Sequence, residues 1–216
     1  MNPPLNHVEL RILGALIEKA VTVPDTYPLT LSSLVAACNQ LTNREPVMQL
    51  DEDTVSSAIV GLRRRSLLRA IQPAGSRVTK YQHLLDEALD LDARELAVLA
   101  VLMLRGPQTA GELHTRTARL ADFASGSSME QVLEALLARD SGSLVTRLAR
   151  QSGQKEARYA QQLGGPVTEL SASVESAPLR AAPLVGQSAL EARVQSLEEE
   201  LAALRADFTA LKAQLE

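Results

Sequence analysis

The sequence predicts an α+β protein, mainly helical with small β-hairpins, in which one unit of three helices and a hairpin is used twice and a separate helix closes the chain. Three observations carry this. Apolar residues recur at helical spacing in six segments, and each group of three is followed by two short runs around a glycine-containing turn. The two groups have the same order and nearly the same length, which argues more strongly than either alone. Past residue 165 the composition changes, first to Gly, Pro, Ser and Ala, then to a strict heptad.

The first helix is expected over Leu5–Ala20, with Leu5, Val8, Ile12, Ala15, Leu16 and Lys19 on one stripe. Asn6 is its N-cap and Glu9, three residues on, completes a capping box. "TVPDTYP" breaks it. Thr30 caps a second helix whose face holds Leu31, Leu34, Val35 and Cys38. A polar stretch, Asn39–Leu50, then intervenes before Asp51 caps a third helix running to Arg65, with Val55, Ala58, Ile59 and Leu62 inward. "LLRAIQ", "PAGSR" and "VTKYQH" make the first hairpin.

The second group repeats this order. "LDARELAVLAVLMLRG" carries Leu96, Leu99, Ala100 and Met103 on its face, "TAGELHTRTARL" follows, and "SSMEQVLEALLARD" turns Met129, Val132, Leu133, Leu136 and Leu137 inward. "LVTRLAR", "QSGQKEA" and "RYAQQL" form a second hairpin. Three helices and a hairpin is the order of a winged helix-turn-helix domain, so two in tandem are expected, at 1–85 and 86–165. A flexible linker at 166–188 and a coiled-coil helix at 189–216 complete the chain.

In that last helix Leu190, Val194, Leu197, Leu201, Leu204, Phe208, Leu211 and Leu215 alternate spacings of four and three. In a parallel pair Arg193 would meet Glu198, Glu200 would meet Arg205, and Asp207 would meet Lys212, all of opposite sign. The expectation is a homodimer through residues 189–216.

Composition excludes several classes. The single cysteine allows no internal disulfide and no multi-thiolate metal site. No apolar run reaches the roughly 18 residues of a membrane span, and the first residues lack signal-peptide character, so a cytoplasmic protein is expected. No nucleotide, metal or nucleophile-elbow motif occurs, and His7, His83 and His114 are scattered. Cys38 continues the apolar face of its helix and reads as a core thiol. No enzymatic activity and no cofactor or metal are expected.

Several quoted stretches are distinctive as strings: "EKAVTVPDTYPLTLSSLVAACNQLTNREPVM", "RVTKYQH", "LRGPQTAGEL" and "RYAQQL". Together they resemble the YceH-like family of bacterial proteins over nearly the whole chain. The resemblance implies tandem winged-helix domains and brings no assigned activity with it.

Winged helices bind duplex DNA or proteins. The net charge is −4, with residues 1–85 at +2, 86–165 at −2 and 166–216 at −4. Any nucleic-acid contact must therefore come from a local patch. The outward face of the third helix should show Glu52, Asp53, Ser56, Ser57, Val60, Arg63 and Arg64, acidic first and basic last. The candidate nucleic-acid residues are Arg44, Ser56, Arg63, Arg64, Arg77 and Lys80. The second unit makes a poorer reader, because its third helix shows Glu130, Gln131 and Glu134 with Arg139. The Asn39–Leu50 stretch reads as an enlarged turn before a recognition helix, with Val47, Met48 and Leu50 tucked inward.

Overall fold

The computed structural model describes residues 4–73, 75, 77–123, 126–150, 154 and 156–165. The expected linker and coiled coil therefore lie outside the described residues. The first half comprises α1 (His7–Thr22), β1 (Leu29–Thr30), α2 (Leu31–Cys38), α3 (Glu52–Arg64), β2 (Leu68–Ile71) and β3 (Lys80–His83). A short helix, α4 (Leu85–Leu89), leads into the second half. There α5 (Ala93–Arg105), β4 (Gln108–Thr109), α6 (Ala110–Thr117), α7 (Gly126–Leu137), β5 (Val145–Arg147) and β6 (Arg158–Gln161) repeat the order.

The caps fall where the sequence placed them. The Asn6 side chain accepts from the N–H groups of Val8 and Glu9 while the Glu9 carboxylate accepts from the Asn6 N–H. Thr30 and Asp51 accept from the N–H groups of Ser33 and Thr54. Each cap satisfies a backbone donor that the first helical turn leaves without a partner.

Each half has a three-stranded antiparallel sheet, ordered β1-β3-β2 and β4-β6-β5. The hairpins were expected, with β2 and β3 pairing Leu68 to His83 and Ile71 to Lys80. The third strands, β1 and β4, were not. Each has two residues, too short to show alternation, and each runs directly into a helix whose cap it supplies. The Tyr27 hydroxyl accepts the His83 N–H at 3.0 Å and pins the chain before β1 onto the hairpin. Helix α4 was also unforeseen; one short turn leaves no periodic signature.

The larger departure concerns α1 and α5. Sequence spacing gave each one apolar stripe, yet both are buried around most of their circumference. Besides Val8, Ile12, Ala15 and Leu16, α1 buries Leu13, Gly14 and Ile17, and α5 buries every residue from Ala97 to Leu104. The second face of each helix packs on the other, so one continuous apolar cluster runs through both halves. Gly14 sits at the crossing, where a Cβ would lie 2.8 Å from Leu104 Cγ and 3.3 Å from Met103 Cβ. The chain end of the second half returns to the start of the first, with the Leu5 N–H donating to the Leu163 carbonyl at 2.8 Å.

Among the described residues no helix is long and apolar enough to cross a membrane. The crossing yields an expected outcome. Gly14→Ala forces a methyl against Leu104 and should destabilise the protein by about 1–3 kcal/mol, and Gly14→Leu by more. Chemical denaturation of both variants checks this; unchanged midpoints would show that the two helices do not need the close approach.

Candidate nucleic-acid interface and the loop beside it

Helix α3 is amphipathic in the way its sequence requires. Val55, Ile59 and Leu62 are buried, while Glu52, Asp53, Ser57, Val60, Arg63 and Arg64 are exposed and Ser56 is half-buried. Acids at the N-terminus and arginines at the C-terminus match the helix dipole. Ser56 and Arg63, seven residues apart, lie about 10 Å from each other along one side of the helix. Asp51, which accepts from Thr54, is held below the usual aspartate value by those bonds.

Among the described residues Arg63, Arg64, Arg77 and Lys80 form no ion pair. Arg63 and Arg64 are neighbours in the last turn of α3. Arg77 is exposed before β3, and Lys80 stands half-buried in β3 between Thr30 and Ile71. Arg65 is drawn aside, donating to the Pro4 carbonyl at 3.4 Å. The nearby Arg69 meets Glu87 at 3.8 Å across an exposed gap.

Arg44 corrects the expectation. It is not on any surface: its side chain has no exposed area, and Nη2 lies 2.6 Å from Glu18 Oε2 of α1. Nε and Nη2 also donate to the Ala37 carbonyl at 3.0 and 2.9 Å, and Nη1 to the Asn43 carbonyl at 3.0 Å. The reason is electrostatic. Glu18 is buried on α1, and a buried carboxylate requires a cation with matching donors. Burial alone would raise the Glu18 pKa, but the hydrogen bond and charge of Arg44 outweigh it and hold it below the ordinary value.

A second arginine works from the other side of the same loop. Arg11 of α1, 2% exposed, donates to the Cys38 carbonyl at 3.1 Å and to the Pro46 carbonyl at 2.7 Å. Asn39 closes the neck, its amide and carbonyl each bonding the Leu50 backbone at 2.8 Å. The outer edge then reaches the second half. The Glu45 N–H donates to the Leu104 carbonyl at 2.8 Å, and Arg105 donates to the Asn43 side chain. Met48 and Leu50 pack on the core as expected, whereas Val47 is 49% exposed. What the sequence suggested was an enlarged turn is a bracket tying α1, α3 and α5 together.

Sequence reasoning missed Arg11 and Glu18. The available signal was that α1 has few polar positions and apolar residues on every side, so its charges had to find partners inside. Cys38 is fully buried, and burial pushes its thiol up to about 12 despite the nearby Arg11 and Arg44 cations. Among the described residues no group of three or more His, Cys, Asp or Glu is placed to hold a metal.

Since Glu18 has a depressed pKa in the folded state, its contribution is present above the unfolded-state value and is lost as pH falls through the folded one. Glu18→Gln should therefore flatten the acid limb of stability against pH. Arg44→Ala, which leaves the buried Glu18 carboxylate with only the longer Lys19 contact at 3.5 Å, should cost about 3 kcal/mol near neutral pH, the lower end for breaking a buried pair. Denaturant melts across the acid range test both; an unchanged acid limb in Glu18→Gln would remove Glu18 from the account.

The family model described as "Protein of unknown function, DUF480" matches residues 5–154. A UPF0502 protein of Vibrio atlanticus is 43% identical over 220 residues, covering 100% of this chain and 99% of that protein. The UPF0502 protein YceH of Escherichia fergusonii is 42% identical over 211 residues, covering 96% and 95% respectively. A UPF0502 protein of Geobacter sulfurreducens is 48% identical over 201 residues, covering 93% and 90%. With its core, bracket loop and most of both sheets inside the matched span, the chain belongs to the DUF480 family, whose relatives include the UPF0502 proteins.

Proposed function

We propose that each half is a winged-helix module and that the first binds duplex DNA, with α3 toward the major groove and the β2–β3 hairpin as the wing. The protein acts as a cytoplasmic, non-enzymatic DNA-binding regulator. One observation carries the reading. Eight of the fifteen arginines among the described residues are tied to carbonyls or carboxylates, whereas Arg63, Arg64, Arg77 and Lys80 gather on α3 and the hairpin with no acidic partner there. Unpaired cations on one recognition element are what phosphate contact requires. The heptad at 189–216 supports a homodimer, which would place two α3 helices on a two-fold site and strengthen weak half-site contacts.

The second reading is a protein-docking scaffold. It is favoured by Leu41, 81% exposed, and Val47, both displayed by a loop fastened from inside.

Titration of a labelled duplex at increasing salt separates the two. Arg63→Ala with Arg64→Ala should weaken binding uniformly across sequences and reduce the salt slope by about 2; no retardation of duplex by micromolar wild type at low salt would rule out DNA. Deleting residues 189–216 should halve the mass seen by light scattering, and an unchanged mass would exclude the coiled-coil dimer.

A further inference from the structure

The two halves share a frame but not a surface. In each, a two-residue strand ends in a threonine that caps an eight-residue helix: Thr30 before α2 and Thr109 before α6. Helix α2, Leu31–Cys38, has no charged side chain, and the positions after it receive Arg44 from the bracket loop. Helix α6 has Glu112, His114 and Arg116, and Arg119 follows one turn later, exposed.

Around α6 the arginines converge. Glu112 caps its own helix by accepting the Thr109 N–H at 3.0 Å. The same carboxylate meets Arg116 Nη2 at 3.7 Å on one oxygen and Arg158 Nη1 at 3.4 Å on the other. Arg158 also donates to the Pro107 carbonyl at 2.8 Å, beside Arg105 at the end of α5. Arg116 and Arg119 lie close enough to Arg105 to depress its pKa, after the larger effect of burial, while Glu45 and Glu18 act in the opposite sense. Glu18 is already committed to Arg44. Glu112 is thus the one carboxylate in ion-pair contact with any of these four arginines among the described residues. The cluster has more guanidinium charge than its partners neutralise.

We propose that the corner between α5 and α6, formed by Arg105, Arg116, Arg119 and Arg158, is a second phosphate-contacting surface for the same duplex. This rests on the DNA reading above and adds a role for the second half. Helix α7 shows Glu130, Gln131 and Glu134 outward, so the second half holds backbone without reading bases. The two clusters stand at opposite ends of α1. Arg65, next to Arg63 and Arg64, reaches Pro4 before its start, and the Glu18–Arg44 pair and Asn43 join Arg105 to its end. Sixteen helical residues separate them, about 24 Å or roughly seven base pairs of duplex.

Arg116 and Arg119 form no hydrogen bond or ion pair with the bracket residues, so they are the residues to change. In the full-length protein, Arg116→Ala with Arg119→Ala should weaken binding of a labelled random duplex of about 24 base pairs roughly tenfold. It should also reduce the salt slope by about 2. Arg116→Lys with Arg119→Lys should restore the slope, because charge is what the surface supplies. Unaltered binding in the alanine variant while Arg63→Ala with Arg64→Ala is weakened would overturn this surface and leave the first intact. A lysine variant as impaired as the alanine one would overturn it too, by showing a packing role. Wild type that fails to bind duplex at low salt would remove both readings together.

Discussion

A guanidinium without exposed area, closed on a carboxylate 2.6 Å away, fixes the architecture of this protein. Neither Arg44 nor Glu18 tolerates burial alone, so the segment carrying Arg44 is obliged to fold inward onto α1. Once it does, the Pro46 carbonyl falls within reach of Arg11, and Asn43 and Glu45 meet the end of α5. The segment then delivers Asp51 to its capping position at α3. Placement of the outward-facing helix therefore depends on an internal electrostatic contact. Hydrophobic burial supplies the bulk of the stabilisation, and the ion pair determines which way the loop goes.

How much of this was legible follows from the range of each interaction. Caps, hairpins and buried stripes depend on neighbours within a few residues, and these appeared as expected: Asn6 with Glu9, Asp51 capping α3, and the β2–β3 hairpin. Arg44 with Glu18 spans 26 residues and Arg105 with Asn43 spans 62, and no local pattern encodes either. The same limit hid the second buried face of α1. Periodicity identifies one stripe, but Leu13, Gly14 and Ile17 become interior only because α5 arrives. Ser56, Arg63, Arg64, Arg77 and Lys80 stayed at or near the surface, because a helix end and a hairpin keep their cations in water.

The two halves repeat one frame and differ in surface. The first two helices of each half keep their N-caps, Asn6 and Asp92, Thr30 and Thr109, and α2 and α6 keep eight residues each, while the surfaces change sign and purpose. Where α2 is uncharged and accepts an arginine from a loop, α6 supplies Arg116 itself. Where α3 ends in Arg63 and Arg64, α7 shows acids. A conserved frame with exchanged surface chemistry lets one compact unit present different faces without altering its core.

The crossing of α1 and α5 also has a consequence for biosynthesis. Gly14 meets Leu104, whose codon lies some ninety triplets further along the message. At translation rates of about 5–20 residues per second, α1 waits on the order of ten seconds before its partner leaves the ribosome. During that interval Leu13 and Ile17 face water or a chaperone. The first half therefore leaves the ribosome with one apolar flank uncovered until the second half is made.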